Sequence, residues 1–476
     1  MFNDYRYKGR AAIAALLVLA LSCTATPADP PKRRVIAPVE NNALLDDLEH
    51  RTFNFFWQTA NPQNGLVPDR WPSPSFSSIA AVGFGLTAYG IGVERGYVAR
   101  DAAAQRVLTT LQFFLSASQN TEVANATSYK GFYYHFLDMQ TGARFKDVEL
   151  STIDTTLLLA GALFCESYFD RDNPTERAIR DAAEELYRRA DWTYFLARPP
   201  LISMGWTPEK GLHDFDWHGY NEAMILVVLA LGSPTHAVDP AAWKAYTSTF
   251  EWHDFYGQQY VTFPPLFGYQ YSHIWIDFRG IQDDYMRGKA IDYFENSKRA
   301  AYAQQAYAMA NPGRWKGYGE TIWGLTACDG PVDAELTING TTHKFKTYSA
   351  RGPSPQYTID DGTLAPTAAA SSVAFAPDIA FPAIEEMRRR YGDRLYQQYG
   401  FLDSFNPTLD FETHVQAGHI VPGIGWFDVD YLGIDQGPIV AMVENYRSGL
   451  VWRVMRGNPH IIAGLKRAGF TGGWLK

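Results

Sequence analysis

The chain has 476 residues, 46% apolar and 20% charged, the balance of a soluble globular protein rather than a disordered or polytopic membrane chain. Lys and Arg number 42 against 51 Asp and Glu, a formal charge of −9, which argues against nucleic-acid binding, where basic patches must neutralise phosphates. Aromatic residues make up 15%, and an excess beyond core needs points to a groove that stacks flat apolar faces such as those of sugar rings.

At the N-terminus, Arg6, Lys8 and Arg10 precede an apolar run from Ala11 to Leu21. That is the pattern of a secretory signal, too short to anchor the chain by spanning a bilayer. Cys23 follows Ala20-Leu21-Ser22, which resembles a bacterial lipoprotein box with one imperfect residue; ordinary cleavage near Ser22 or Ala25 is the alternative. Residues 24–40, rich in Pro, Thr and Ala, read as a tether. A periplasmic or outer-membrane-tethered location is therefore expected. Beyond Cys23 only Cys165 and Cys328 remain. Cys165 sits in an apolar run and reads as a core thiol; a disulfide to Cys328 stays open, but two cysteines do not make a disulfide scaffold. No His/Cys cluster has zinc spacing and no Gly-rich phosphate loop occurs, so no metal or other cofactor is expected. Nothing marks an oligomeric state.

Two kinds of helical period alternate along the chain. Residues 42–58, 101–117, 175–195, 240–252, 290–310 and 378–391 carry charges on one face. Between them, 78–94, 152–168, 221–231, 270–280, 364–374 and 434–447 are apolar nearly all round, and a helix apolar on every face must be buried on every face. Six exposed-then-buried hairpins imply parallel buried helices inside an outer amphipathic ring, an all-α, (α/α)6 toroid. One piece departs: residues 333–348 alternate around Asn339-Gly340, a small β-hairpin inserted in a long loop. The rest of that loop, Tyr348 to Pro366, reads as functional.

Three carboxylates open buried helices: Asp154, Glu222 and Asp435. Parallel inner helices would bring them to one cavity mouth. Asp154, in Ser151-Thr152-Ile153-Asp154, reads equally as part of a capping box, and Asp435, before Gln436-Gly437-Pro438, equally as an N-cap. Glu222 follows the better cap Asn221 and has no local partner in its apolar surroundings. Burial would push its pKa up and the helix dipole would pull it down, and it is the candidate general acid. Tyr271, His273 and Arg279 lie in a polar-aromatic stretch, and Glu320 stands between Gly319 and Trp323. With Trp206, Trp217, His218 and Trp426 they are candidate substrate contacts, or else core aromatics and structural ion pairs. Acids and aromatics without a metal site point to glycoside hydrolysis, where two carboxylates suffice.

The blocks Ser151–Gly161, Gly219–Met224, Tyr348–Pro353, Asp361–Ala369 and Tyr431–Pro438 resemble the bacterial glycoamylase-like domain of glycoside hydrolase family 144, over about Leu45 to Leu465. The resemblance implies an (α/α)6 toroid and anomer-inverting β-1,2-glucanase activity, mostly endo-acting and in some members exo-acting with sophorose release. It implies linear or cyclic β-1,2-linked glucan as partner. Glu222 would be the essential acid. Asp154, Glu149 or Asp147 would match acids before it, and Asp435 or Asp430 the late aspartate near the base. Arg351 and Tyr431, within the matching blocks, join the candidate substrate contacts. The resulting division is 1–23 signal peptide, 24–40 tether and 41–476 catalytic domain. The different-class alternative is a glucan-binding lipoprotein that has lost its chemistry.

Overall fold

Side-chain caps fix where the main helices begin. The Asn42 carboxamide oxygen accepts from the Leu44 and Leu45 amides, Ser78 from Ala81, Ser151 from Asp154 and Asn173 from Glu176, each satisfying orphan N–H groups of a first turn. The computed structural model describes residues 42–122, 125–338 and 340–476. The signal and tether segments, Cys23 and Asn339 of the hairpin turn lie outside the described residues.

In chain order the helices are α1 (Ala43–Thr59), α2 (Ile79–Glu94), α3 (Arg100–Ser116), α4 (Thr152–Tyr168), α5 (Pro174–Arg189), α6 (Met224–Gly232), α7 (Ala241–Thr247), α8 (Phe267–Trp275), α9 (Asp284–Lys289), α10 (Tyr293–Ala310), α11 (Pro366–Ala370), α12 (Pro377–Tyr391), α13 (Gly433–Arg447), α14 (Leu450–Met455) and α15 (Pro459–Arg467). The protein is mainly helical. Every residue of α6 and nearly every residue of α2 is buried, whereas α5 buries one stripe and exposes Arg177, Asp181, Glu185 and Arg188 on the other, as their periodicities require. The described residues also contain α9, α14 and α15, which the hairpin pattern did not anticipate.

The buried helices pack on one another. Helix α13 touches α1, α2, α8 and α11; α2 lies along α4, and α4 meets α6. The α2–α4 contact is backbone on backbone. A Cβ on Gly83 would fall 2.2 Å from the Leu157 carbonyl oxygen, and one on Gly161 2.1 Å from the Gly83 carbonyl oxygen, so only glycine permits this approach.

More β structure is present than the one expected hairpin. Ala334–Ile338 does pair antiparallel with Thr341–Phe345. In addition, Ser77–Ser78 pairs with Phe136–Leu137, Leu150–Ser151 with Gly205–Thr207, and Tyr431–Leu432 with Arg70–Trp71. These short pairs lead directly into α2, α4 and α13. The loops there are half-buried, and pairing satisfies backbone groups that water cannot reach; two-residue strands leave no detectable period in sequence. Cys165 and Cys328 are both free and buried, Cys165 within the core beside Leu86, so no disulfide joins them.

Candidate active site

The chain segments entering α2, α4, α6, α8 and α13 surround a cavity of about 380 Å³, within the range of small-ligand sites. Its walls carry Ser78 at the N-cap of α2 and Ala80 within it, Ile153, Asp154 and Leu157 of α4, Glu222 before α6, Phe267 and Tyr271 of α8, and Ile434 of α13, with Asp69, Arg70, Phe76, His135, Phe136 and Tyr348 from the loops. Acids, one imidazole and several aromatic faces thus share a pocket whose wall is otherwise mostly apolar.

Glu222 sits in the turn before α6 rather than in its first helical turn. Asn221 braces that turn: its side-chain oxygen accepts from the Ala223 amide (3.0 Å) and from Tyr246 Oη (2.8 Å). The Glu222 carbonyl accepts from Ser272 Oγ at 2.7 Å. Glu222 lines the cavity. Burial, with Asp154 adding to it, pushes its pKa up to about 7, because charge is disfavoured in a poorly hydrated wall near another carboxylate.

Asp154 is both a capping-box member and a wall of the cavity. Ser151 Oγ donates to its carboxylate while accepting from its amide. His135 bridges two acids, with Nδ1 2.9 Å from Glu149 and Nε2 3.5 Å from Asp154. Burial opposes charge on this imidazole, yet Asp154 and Glu149 outweigh it and raise its pKa to about 9. The protonated ring holds the Glu149 carboxyl below its usual range against burial, whereas burial leaves Asp154 raised.

Asp435 occupies the first turn of α13, but Leu432 stands at the N-cap position and no side chain caps the helix there. The N-cap reading of Asp435 is therefore corrected. Its neighbour Ile434 lines the cavity and accepts at its carbonyl from Tyr271 Oη (3.0 Å), while the Asp435 carboxyl meets that of Asp403. Burial and the nearby acids Asp329, Asp69 and Asp428 raise its pKa.

Of the predicted substrate contacts, Tyr271 lines the cavity, and Glu149 adjoins it through His135. Trp217 is buried and donates Nε1–H to Thr152 Oγ1 (2.9 Å), bracing the start of α4, and Trp206 packs on Tyr129. Tyr431 is buried against Phe55 and Tyr399. His218 is exposed, its Nδ1 2.9 Å from the Asp216 carbonyl, and Glu320 is also exposed.

Five others are placed by packing and ion pairing rather than by the cavity. His273 is wholly buried beside Ser297 Oγ (3.0 Å) and kept neutral, burial lowering its pKa to about 3. Arg279, beyond the C-terminal end of α8, pairs with Asp277 and lies over Trp452. Trp323 is fully buried, and Trp426 is fully buried with Nε1–H on the Ala417 carbonyl (2.7 Å). Arg351, also fully buried, pairs with Asp361 (2.7 Å) and donates to the Cys328 and Lys346 carbonyls. Sequence reasoning missed Asp69, Arg70, His135 and Tyr348 as wall residues. His135, flanked by Tyr133, Tyr134 and Phe136, carried the one usable signal, a histidine amid aromatics.

A cavity with an acid raised to about 7, further carboxylates, aromatic walls and helix starts around it offers the groups that acid-assisted cleavage of a glycosidic bond requires. The family model described as "Putative glucoamylase" matches residues 214–459, and the chain belongs to this glycoamylase-like family. The solved structure of a Bacteroides uniformis family member is 32% identical, with 91% of this chain and 98% of that chain covered and a TM-score of 0.77. The endo-β-1,2-glucanase of Chitinophaga pinensis, solved with sophorotriose and glucose, is 27% identical over 91% of this chain and 99% of that chain, with a TM-score of 0.76. A curated relative, the exo β-1,2-glucooligosaccharide sophorohydrolase of Parabacteroides distasonis, is 28% identical over 90% of this chain. The chain spans 58% of that relative's length.

Proposed function

We propose that this chain hydrolyses β-1,2-linked glucan with inversion at the anomeric carbon, acting within the chain to give short sophoro-oligosaccharides. The observation that carries the reading is Glu222, a residue lining the cavity whose carboxyl has its pKa pushed up to about 7 by burial, matched to protonating a glycosidic oxygen near neutral pH. The similarity to the C. pinensis endo-enzyme over nearly all of that chain supports the endo form; the sophorohydrolase keeps exo release as the alternative.

In the proposed reaction Glu222 donates its proton to the leaving oxygen while a second carboxylate takes one from the attacking water on the opposite face of the sugar. Asp154 is the candidate favoured for that base, since it lines the cavity beside the His135 imidazolium, which stabilises its ionised form. Asp435 is the second candidate, supported by a buried Oδ2 without a donor. Phe76, Phe136, Phe267 and Tyr348 offer faces for the sugar rings.

The same proposal includes the closure of the six outer-to-inner helix pairs into an (α/α)6 toroid, supported by α13 meeting both α2 and α11. It includes export by the segment before residue 24 to a periplasmic or outer-membrane-tethered location, with lipid attachment at Cys23 and ordinary cleavage near Ser22 or Ala25 as the two alternatives. No helix among the described residues is long and apolar enough to cross a membrane.

The test is incubation of the mature chain with linear β-1,2-glucan, following product size and anomeric proton signals. A ladder of oligomers formed first as the α-anomer is expected. Sophorose alone would make the action exo, and a glucan left unshortened would overturn the hydrolytic reading in favour of a binding protein.

A further inference from the structure

Next to the cavity-lining Arg70, three loops bring Asp329, Asp403 and Asp428 together, with one carboxylate oxygen of each lying within 4.8 Å of the others. The loops are laced by their own backbone. The Asp329 amide donates to Asp403 Oδ2 (2.7 Å), Ser404 Oγ to the Asp329 carbonyl (2.9 Å), and the Asp428 amide to the Ser404 carbonyl (3.0 Å). All three aspartates are more than nine-tenths buried.

Their bonding is incomplete in a particular way. Asp428 Oδ1 accepts from the Val429 amide (2.8 Å), but the buried Asp428 Oδ2 has no donor, and Asp403 has only the Asp329 amide and a carboxyl–carboxyl contact with Asp435. Buried carboxylate oxygens without a partner are costly and rare. The charge is unbalanced as well. Asp69, Asp430 and Asp435 lie close by, and Arg70 is the cation that serves the group, reaching Asp329 (2.5 Å), Asp69 (3.3 Å) and Asp430 (3.9 Å). No ion pair to Asp403 or Asp428 occurs among the described residues, and Arg351 is already held by Asp361.

We propose that Asp329, Asp403 and Asp428 form a binding site for a hard divalent cation of the calcium class. Such an ion takes carboxylate oxygens at about 2.3–2.6 Å in flexible geometry, which spans oxygens up to about 5 Å apart, and water completes its coordination. Bound there, it ties together the loops after Ala327–Cys328, Gly400–Phe401 and Gly425–Phe427, and so stiffens the back of the cavity. Asp403 also touches Asp435, the second candidate base, so the site is read out by binding and stability without substrate.

The experiment strips the mature chain with a chelator, then titrates Ca²⁺ while following Tm, and titrates Tb³⁺ while following emission sensitised by the protein's aromatics. Saturable emission displaced by Ca²⁺ is expected, with a rise in Tm of about 3–5 °C at about 1 mM Ca²⁺ for a site of about 10 µM affinity. Asp428→Asn and Asp403→Asn should each abolish both signals. Asp428→Asn removes one charge from a crowded acidic group and should therefore remain folded in chelator. Glu184→Gln, in the more exposed Glu166–Glu184–His460 group, should leave both signals intact. Absence of both signals in the unaltered chain overturns the proposal without reference to any variant. Retention of the signals in Asp428→Asn and Asp403→Asn, or their loss in Glu184→Gln, overturns it equally.

Discussion

At the scale of single residues, environment rather than residue type assigns the roles. Glu222 and Glu149 are both glutamates near the cavity, but burial raises one to about 7 whereas the His135 imidazolium lowers the other. The rate should therefore fall as pH rises through about 7, where Glu222 loses its proton, and the alkaline limb of kcat/KM checks this. His135→Gln should move the acidic limb to higher pH, because removing the cation raises the Asp154 pKa; an unmoved limb would exclude Asp154 as the base. Arg351 makes a further contrast. Arg351→Met should destabilise the protein by about 3–5 kcal/mol by leaving Asp361 buried and unpaired, seen as a lower Tm rather than as a change confined to KM. Sequence placed Glu222 and Asp154 by their positions before apolar runs. It could not separate a buried arginine from a ligand-binding one, since both are an Arg among Gly, Pro and Ser.

At the scale of elements, the alternation of one-faced and all-round apolar helices was legible almost to the residue for the long ones. The run at 152–168 coincides with α4, and 434–447 lies within Gly433–Arg447. The shorter inner helices were less legible. The apolar stretch at 364–374 forms a helix only over Pro366–Ala370, and that at 270–280 turns extended after Trp275, because aromatic and small residues pack equally well outside a helix. The α2–α4 contact yields a test at this scale. Gly161→Ala should cost about 1–3 kcal/mol by overpacking and should also lower activity, since α4 carries Asp154 and Leu157 into the cavity. Unchanged Tm and activity would mean that the two helices have room to separate.

At the scale of the whole molecule, the starts of α2, α4, α6, α8 and α13 converge on one cavity while the loops between them supply the acids that sequence reading did not foresee. Asp69, Asp329, Asp403 and Asp428 are far apart in the chain and sit in segments without period, so only folding brings them together. The reading as a β-1,2-glucanase hinges on Glu222 as the proton donor, and the most direct test compares Glu222→Gln with the unaltered chain on linear β-1,2-glucan. A carboxyl whose pKa rises from 4.5 to about 7 on folding is increasingly costly to ionise as pH rises between those values, so the amide should leave Tm at pH 7 equal or higher. With Tm so preserved, kcat should fall by about 10²–10⁴. A folded Glu222→Gln variant that keeps near-full kcat would contradict the account.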